Sequence, residues 1–147
     1  MAELFAAATM MQSLRRKAAR LFKLSSTELA ILLAISKLGN NKSVREIAEH
    51  LDISASNVTA DVRRLVELTY LRKVPHPDDA RAINVALTAN GTTLVKNMAP
   101  VLQHVNDKVF SDLSREDMIR CSRILKIIVE QGRKIDSATL GTASRKG

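Results

Sequence analysis

The sequence predicts a mainly α-helical chain with one small β-hairpin, an α+β arrangement, and three observations predict it. Apolar residues recur at steps of three and four through five segments, the signature of amphipathic helices. Three helix starts carry a Ser followed three residues later by an acid: Ser25 with Glu28, Ser43 with Glu46 and Ser114 with Asp117. The period changes to two over residues 70–74 and 82–87, on either side of a Pro- and Asp-rich turn. A length of 147 residues fits one domain, and 46% hydrophobic content supports a real core.

The first helix is expected over residues 3–22, with Leu4, Ala8, Met11, Leu14, Ala18 and Leu21 as its apolar stripe. Arg15, Arg16, Lys17, Arg20 and Lys23 crowd its end, where cations complement the helix dipole. The second helix opens at the Ser25 capping box, with Leu24 and Leu29 placed for a hydrophobic staple, and stops at Gly39-Asn40-Asn41. The third is short, capped by Ser43 and faced inward by Val44, Ile47, Ala48 and Leu51. Ser54 caps the fourth, whose buried stripe is Val58, Val62 and Leu65. Only about three residues separate these two short amphipathic helices, which is the signature of a helix-turn-helix. Strands over 70–74 and 82–87 then flank a turn at 75–81, with Ile83, Val85 and Leu87 expected on the inner face, so the helix-turn-helix is followed by a β-hairpin wing. Thr88 caps a fifth helix running past Val109, which Pro100 is expected to kink. In the last helix Met118, Cys121, Ile124, Leu125 and Ile128 form one face that Ile119, Ile127 and Val129 widen. That arc is broader than one core contact needs. The expected organisation is a single domain over 1–135, with the winged helix-turn-helix at about 25–88. Dimerisation helices at about 3–22 and 89–135 flank it, and residues 136–147 form a flexible polar tail.

Composition narrows the function. The net charge is +8 and the isoelectric point about 10.1, which points to a polyanionic partner. The four aromatics, Phe5, Phe22, Tyr70 and Phe110, are too few for a surface that stacks single-stranded bases, so duplex DNA is favoured over RNA. No apolar run reaches the ~18–20 residues a bilayer span requires, and no membrane partner is expected. The start lacks the pattern of a secretory signal, and one cysteine forms no internal disulfide; the expected location is the cytoplasm. His50, His76, His104 and Cys121 have no metal-ligand spacing, and Cys121 reads as a small core residue. Of the methionines, Met10, Met11, Met98 and Met118 read as core filler. No Gly-rich phosphate loop, nucleophile–base pair or metal triad is present, so no enzyme, metal or cofactor is expected.

At this point the residues carry a resemblance. Leu24-Ser25-Ser26-Thr27-Glu28, Val44-Arg45-Glu46-Ile47-Ala48, Ser56-Asn57-Val58-Thr59, Pro77-Asp78-Asp79-Ala80-Arg81 and Val85-Ala86-Leu87-Thr88-Ala89-Asn90-Gly91 follow the order seen in MarR-type regulators. The resemblance covers residues 10–130. It implies a homodimeric winged helix-turn-helix transcription factor whose terminal helices dimerise and whose DNA binding a small molecule often relieves. The chain departs from the family pattern at several places. Thr69 stands where the family usually has the Gly that ends the recognition helix, Ala60 replaces a frequent Arg, Asp61 an apolar residue, and Arg63-Arg64 an acid–Arg pair. Thr disfavours a left-handed cap, so the junction at 69 is expected to differ.

The fourth helix is expected in the major groove. Its outward side offers Ser56, Asn57, Ala60, Arg63 and Arg64: Asn57 suits adenine, either arginine guanine, and Ala60 a thymine methyl. The alternative for the arginines is a solvated face, or an Asp61–Arg64 pair one turn apart. Ser54 and Thr59 suit phosphate oxygens, as do Lys42, Arg45, Arg72 and Lys73. Arg81 at the wing tip suits a narrow minor groove, and the resemblance implies that Asp79 holds it. The resemblance also implies an effector pocket between the dimerisation helices and the winged domain. Arg15, Arg16 and Arg20 are candidates to meet a small anionic or aromatic effector there, or are solvated, or approach phosphates. The leading expectation is a dimeric repressor on a pseudo-palindromic operator; the alternative is a helical protein-interaction module that no longer reads DNA. The charge is unevenly spread. Residues 42–88 hold seven basic and seven acidic side chains and are neutral, whereas residues 1–24 carry +4 and residues 133–147 carry +3.

Overall fold

The computed structural model describes residues 1–75 and 83–135. Contacts gather into two compact units, Met1–Asn106 and Asp107–Gly147. The first holds α1 (Ala2–Leu21), α2 (Ser26–Leu38), β1 (Lys42–Ser43), α3 (Val44–Leu51), α4 (Ala55–Glu67), β2 (Leu71–Pro75), β3 (Ile83–Leu87) and most of α5 (Ala89–Val109). The second holds the end of α5 and α6 (Arg115–Gly132).

Local chemistry starts most of these helices. In α2 the Ser25 Oγ accepts from the Glu28 N–H (3.0 Å) while the Glu28 carboxylate accepts from the Ser25 N–H (2.7 Å), satisfying two helix-end donors at once. The same reciprocal box opens α3 at Ser43/Glu46 and α6 at Ser114/Asp117. Ser54 caps α4 by accepting from the Asn57 N–H at 3.4 Å. The core of the first unit is then assembled from the inward faces of α2, α3 and α4. Leu29, Ile31, Leu32 and Ile35 of α2 meet Ile47 of α3 and Val58, Val62 and Leu65 of α4, with Leu71, Val85 and Met98 closing the cluster.

Four expectations need correction. First, the apolar stripe of α1 does not run to its end: Leu21 is 70% exposed and Leu4 is also exposed, while Ala18 and Ala19 are the buried positions. The reason is the turn that follows. Lys23 adopts a left-handed conformation (φ 57°), its N–H donates to the Arg20 carbonyl and the Leu24 N–H to the Ala19 carbonyl, so Leu24 rather than Leu21 enters the core. Second, the sheet has three strands, in the antiparallel order β1-β3-β2; the two-residue β1, with Lys42 opposite Val85, is too short to show a period. Pro75 is the last residue of β2, opposite Ile83, rather than part of the turn; β2 is an edge strand, where the missing N–H is tolerated. Third, β3 does not alternate as expected. Ile83 is exposed, whereas Asn84 and Ala86 are buried beside Val85. As the central strand, β3 is also lined by the α2–β1 loop: the Asn84 amide donates to the Asn41 carbonyl and the Leu87 N–H to the Asn40 side chain, each at 3.0 Å. Fourth, of the methionines read as core filler only Met98 is fully buried, and Met10 is exposed.

The junction from α4 through β2 to α5 keeps a left-handed cap despite its threonine. Thr69 sits at φ 61°, the Tyr70 N–H donates to the Leu65 carbonyl and the Thr69 N–H to the Val66 carbonyl, both at 2.9 Å, a Schellman closure. Its hydroxyl accepts from the Asn90 amide (3.2 Å), and its carbonyl accepts from the Thr88 hydroxyl (2.6 Å). The Thr88 Oγ1 in turn accepts from the Gly91 N–H at 3.0 Å, capping α5. Gly91 lies so close to this junction that a Cβ there would fall on the Tyr70 carbonyl oxygen. Thr69→Gly is therefore expected to stabilise the protein by about 1 kcal/mol, the relief of a strained left-handed β-branched residue less the entropy of a flexible unfolded glycine. Gly91→Ala is expected to destabilise by about 1–3 kcal/mol through overpacking. Urea midpoints of the two variants check both signs.

Candidate nucleic-acid interface

The turn between α3 and α4 is set by Asp52, in a left-handed conformation (φ 57°), with the Ile53 N–H donating to the Ala48 carbonyl at 3.1 Å. It delivers α4 with Val58, Val62 and Leu65 buried, and Ser56, Asn57, Ala60, Arg63 and Arg64 exposed. Asn57 carries its side chain in solvent at the first turn of the helix. The hydroxyls of Ser54 and Ser56 share a hydrogen bond (3.1 Å), and that of Thr59 donates back to the Ala55 carbonyl (2.8 Å).

The two adjacent arginines of α4 are held differently. Arg63 lies 3.9 Å from Glu67, one turn along the same exposed face. Arg64 places its Nε 2.9 Å from Oε1 of Glu28, a carboxylate that is only 1% exposed. Arg64 therefore pairs with Glu28 of α2, and no Asp61–Arg64 ion pair is seen among the described residues. In the sequence Glu28 reads only as a capping residue. Its bond to α4 has no local signature, because the partners lie on different helices. Asp61, half-buried beside this pair, has its carboxyl pushed above the ordinary aspartate range, first by burial and then by the Glu28 charge, with Arg64 opposing.

Two of the other basic candidates are also engaged. Lys42 lies 3.2 Å from Glu46, and Arg45 lies 2.9 Å from Glu49. The Glu46 carboxyl is held below the ordinary range, chiefly by its hydrogen bonds from the backbone and hydroxyl of Ser43. Arg72 and Lys73 are exposed on β2 and make no ion pair among the described residues. Asp79 and Arg81 lie outside the described residues.

Of the effector candidates, Arg15 borders a cleft of about 250 Å³ between α1, α2 and α5. The cleft is walled by Met11, Leu14, Leu29, Leu33 and Leu102, with Asn106 as a second polar group. Arg16 and Arg20 are exposed and do not line it. In the second unit α6 buries none of its residues, and Ile119, Ile124, Ile127 and Ile128 are exposed. Cys121 is not a core residue: it is partly exposed and borders an apolar groove with Phe110, Met118, Leu125 and Val129. Among the described residues no three His, Cys, Asp or Glu side chains gather as a metal-binding group, and no helix is long and apolar enough to cross a membrane.

A capped two-helix turn, an outward-facing second helix and a hairpin leading into α5 define a winged helix-turn-helix protein. Residues 22–82 of the chain match a family model described as the MarR family. Among its relatives is the HTH-type transcriptional regulator YpoP of Bacillus subtilis (strain 168), 36% identical over 86 residues, or 58% of this chain and 55% of that one. The chain thus spans about half the length of that relative and 64% of a second. The fold is shared with a mutant of E. coli MarR complexed with operator DNA (TM-score 0.75, 17% identity, 86% of this chain and 91% of that chain). It is shared equally with Bordetella bronchiseptica BpsR, whose DNA binding is regulated by 6-hydroxynicotinic acid (TM-score 0.76, 21% identity, 88% and 92%).

Two substitutions separate the roles in this cluster. Arg64→Ala leaves the buried Glu28 carboxylate short of a charged donor and is expected to cost about 1–3 kcal/mol. Asp61→Asn is expected to stabilise at neutral pH. Because the folded-state value of Asp61 is raised, the native protein binds its proton more readily than the unfolded chain. The penalty is thus present above the raised value and disappears as pH falls below the ordinary aspartate range. Melting curves from pH 7 to pH 3 should show the Asn advantage shrinking to nothing. An advantage independent of pH would contradict the assignment.

Proposed function

We propose that the chain is a sequence-specific duplex-DNA-binding transcriptional regulator, working in the cytoplasm as a homodimeric repressor whose DNA binding a small anionic or aromatic effector relieves. The observation that carries this reading is the outward face of α4. Asn57, Ala60 and Arg63 stand exposed above a fully buried stripe, on a helix tied to α2 by Arg64 and Glu28. An α-helix presented in this way fits the major groove. Arg63 is the better base reader of the two arginines, since its long exposed contact to Glu67 is worth little and is easily exchanged. Ser54, Thr59, Arg72 and Lys73 serve phosphates in this reading, with Lys42 and Arg45 exchanging their carboxylates for them. Arg81, held by Asp79, reaches the minor groove.

The exposed isoleucines of α6 support dimerisation, because an apolar helix face of that breadth is rarely left to water. The cleft beside Arg15 supports the effector: apolar walls with two polar groups suit a small aromatic acid.

Selection from a random duplex pool, followed by fluorescence anisotropy, tests the reading. The selected sequence is expected to be an inverted repeat with half-sites about one helical turn apart. Arg63→Ala should cost about 1–3 kcal/mol and relax preference at one base pair per half-site. Lys73→Ala should weaken all sequences alike and reduce the salt slope by about 0.9. Failure to select a repeat, together with affinity that does not change with salt, would overturn the reading in favour of a protein-interaction module.

A further inference from the structure

We infer that the C-terminal half of α1 and the corner that follows it form a second DNA-docking surface, in which Arg16, Lys17, Arg20 and Lys23 hold phosphates of duplex beyond the base pairs read by α4. The inference rests on the DNA-binding reading above and adds a surface to it.

The first support is electrostatic. Within the helix-turn-helix, Lys42, Arg45, Arg63 and Arg64 each stand at a carboxylate: Glu46, Glu49, Glu67 and Glu28 respectively. Residues 42–88 as a whole are neutral. A domain of zero net charge exerts little long-range attraction on a polyanion, and that attraction supplies most non-specific duplex affinity. The cations of α1 are in the opposite situation. No acidic residue occurs between Glu3 and Glu28, and Glu28 is buried and bound to Arg64. Arg16, Lys17, Arg20 and Lys23 are all exposed, and none makes an ion pair among the described residues.

The second support is placement. Ala18 and Ala19 turn toward the core, so Arg16 and Arg20, one turn apart, share the opposite side of the helix. Lys23 follows at the left-handed corner that leads into α2. Arg15, on the same stretch of α1, shares a surface depression with Ser26 and Thr27 at the start of α2 and with Leu51 and Ile53, which bracket the turn into α4. Duplex DNA is the occupant that fits. Arg16 and Arg20 stand outside the effector cleft, and a row of cations along one helix face matches a repeated anion rather than a single small one.

The test uses the full chain and a 40-base-pair duplex of mixed sequence, by anisotropy between 50 and 200 mM salt. The variant Arg16→Gln/Lys17→Gln/Arg20→Gln/Lys23→Gln should flatten the plot of log K against log salt by about 0.9 for each phosphate that is no longer neutralised, or about 2–4 in all. It should weaken the selected repeat and the mixed duplex by the same factor, leaving the preference between them intact. The double variant Arg16→Gln/Arg20→Gln should show about half that change and guards against misfolding of the fourfold one. An unchanged slope and affinity in both variants, with the wild-type chain still preferring its selected repeat, would overturn this inference alone. A wild-type chain with flat salt dependence and no selected repeat would instead overturn the DNA reading beneath it. Weakened binding to poly-glutamate with an unchanged duplex slope would identify an acidic protein as the occupant and overturn the inference as well.

Discussion

The winged domain is organised around one buried carboxylate. Glu28 is almost wholly removed from water, and an ionised carboxylate in that position requires compensation by charge and by hydrogen bonds. It receives both, from the Ser25 N–H on one oxygen and the Arg64 guanidinium on the other. Ser25 is the cap of α2 and Arg64 lies on the last turn of α4. A single side chain therefore fixes where one helix begins and how another is rotated against it. The apolar contacts of Val58, Val62 and Leu65 supply the bulk of the attraction but are not directional. Those contacts alone would tolerate small rotations of α4, whereas a directed bond from a buried charge does not. The residues that α4 turns outward, and hence what the helix offers a groove, follow from that bond.

A second set of directed bonds holds the same, C-terminal end of the recognition helix. Thr88 both caps α5 through the Gly91 N–H and donates to the Thr69 carbonyl, so the closure that follows α4 and the first turn of α5 meet through one hydroxyl. The close approach requires a residue without a Cβ at position 91, which explains the glycine there. Glycine is absent from position 69, where the same reasoning would favour it, and the Thr69 side chain recovers part of the cost through Asn90. The junction is thus kept by its hydrogen-bond pattern rather than by conformational ease. The departure from the family pattern at 69 changes the strain of the joint and not its path.

What was legible in the chain beforehand follows the range of the interactions concerned. The boxes at Ser25/Glu28, Ser43/Glu46 and Ser114/Asp117 lie within one helical turn, and each forms as the spacing implies. The inward stripe of α4 was equally readable, because 3.6-residue periodicity is a local property. Leu21 leaves the stripe that its spacing implies because a left-handed corner at Lys23 redirects the chain, and no periodicity reports on a corner. β1 has no signature in the sequence because two residues have no period, and the burial of Asn84 has none because it depends on a loop that returns from α2. In the site, exposure of the α4 residues was legible, but the pairing of Arg64 was not. It joins segments far apart in sequence, and the local alternative, Asp61, lay closer to hand.

The distinction between Arg63 and Arg64 shows how burial of the partner, rather than residue type, assigns a role. Both are exposed arginines on adjacent positions of one helix, and each faces a glutamate. The Arg63–Glu67 contact is long and open to water, worth at most about 1 kcal/mol, so a bidentate bond to a base edge worth roughly 1–3 kcal/mol exchanges it at a gain. Arg64 has no such freedom. Releasing it would strand a charge in the core, a penalty comparable to anything a base contact returns. On the reading proposed here, the ion pairs of the helix-turn-helix are therefore of two kinds. The exposed ones are exchanged for phosphate or base when DNA arrives, and the buried one remains closed to orient the helix that makes the exchange.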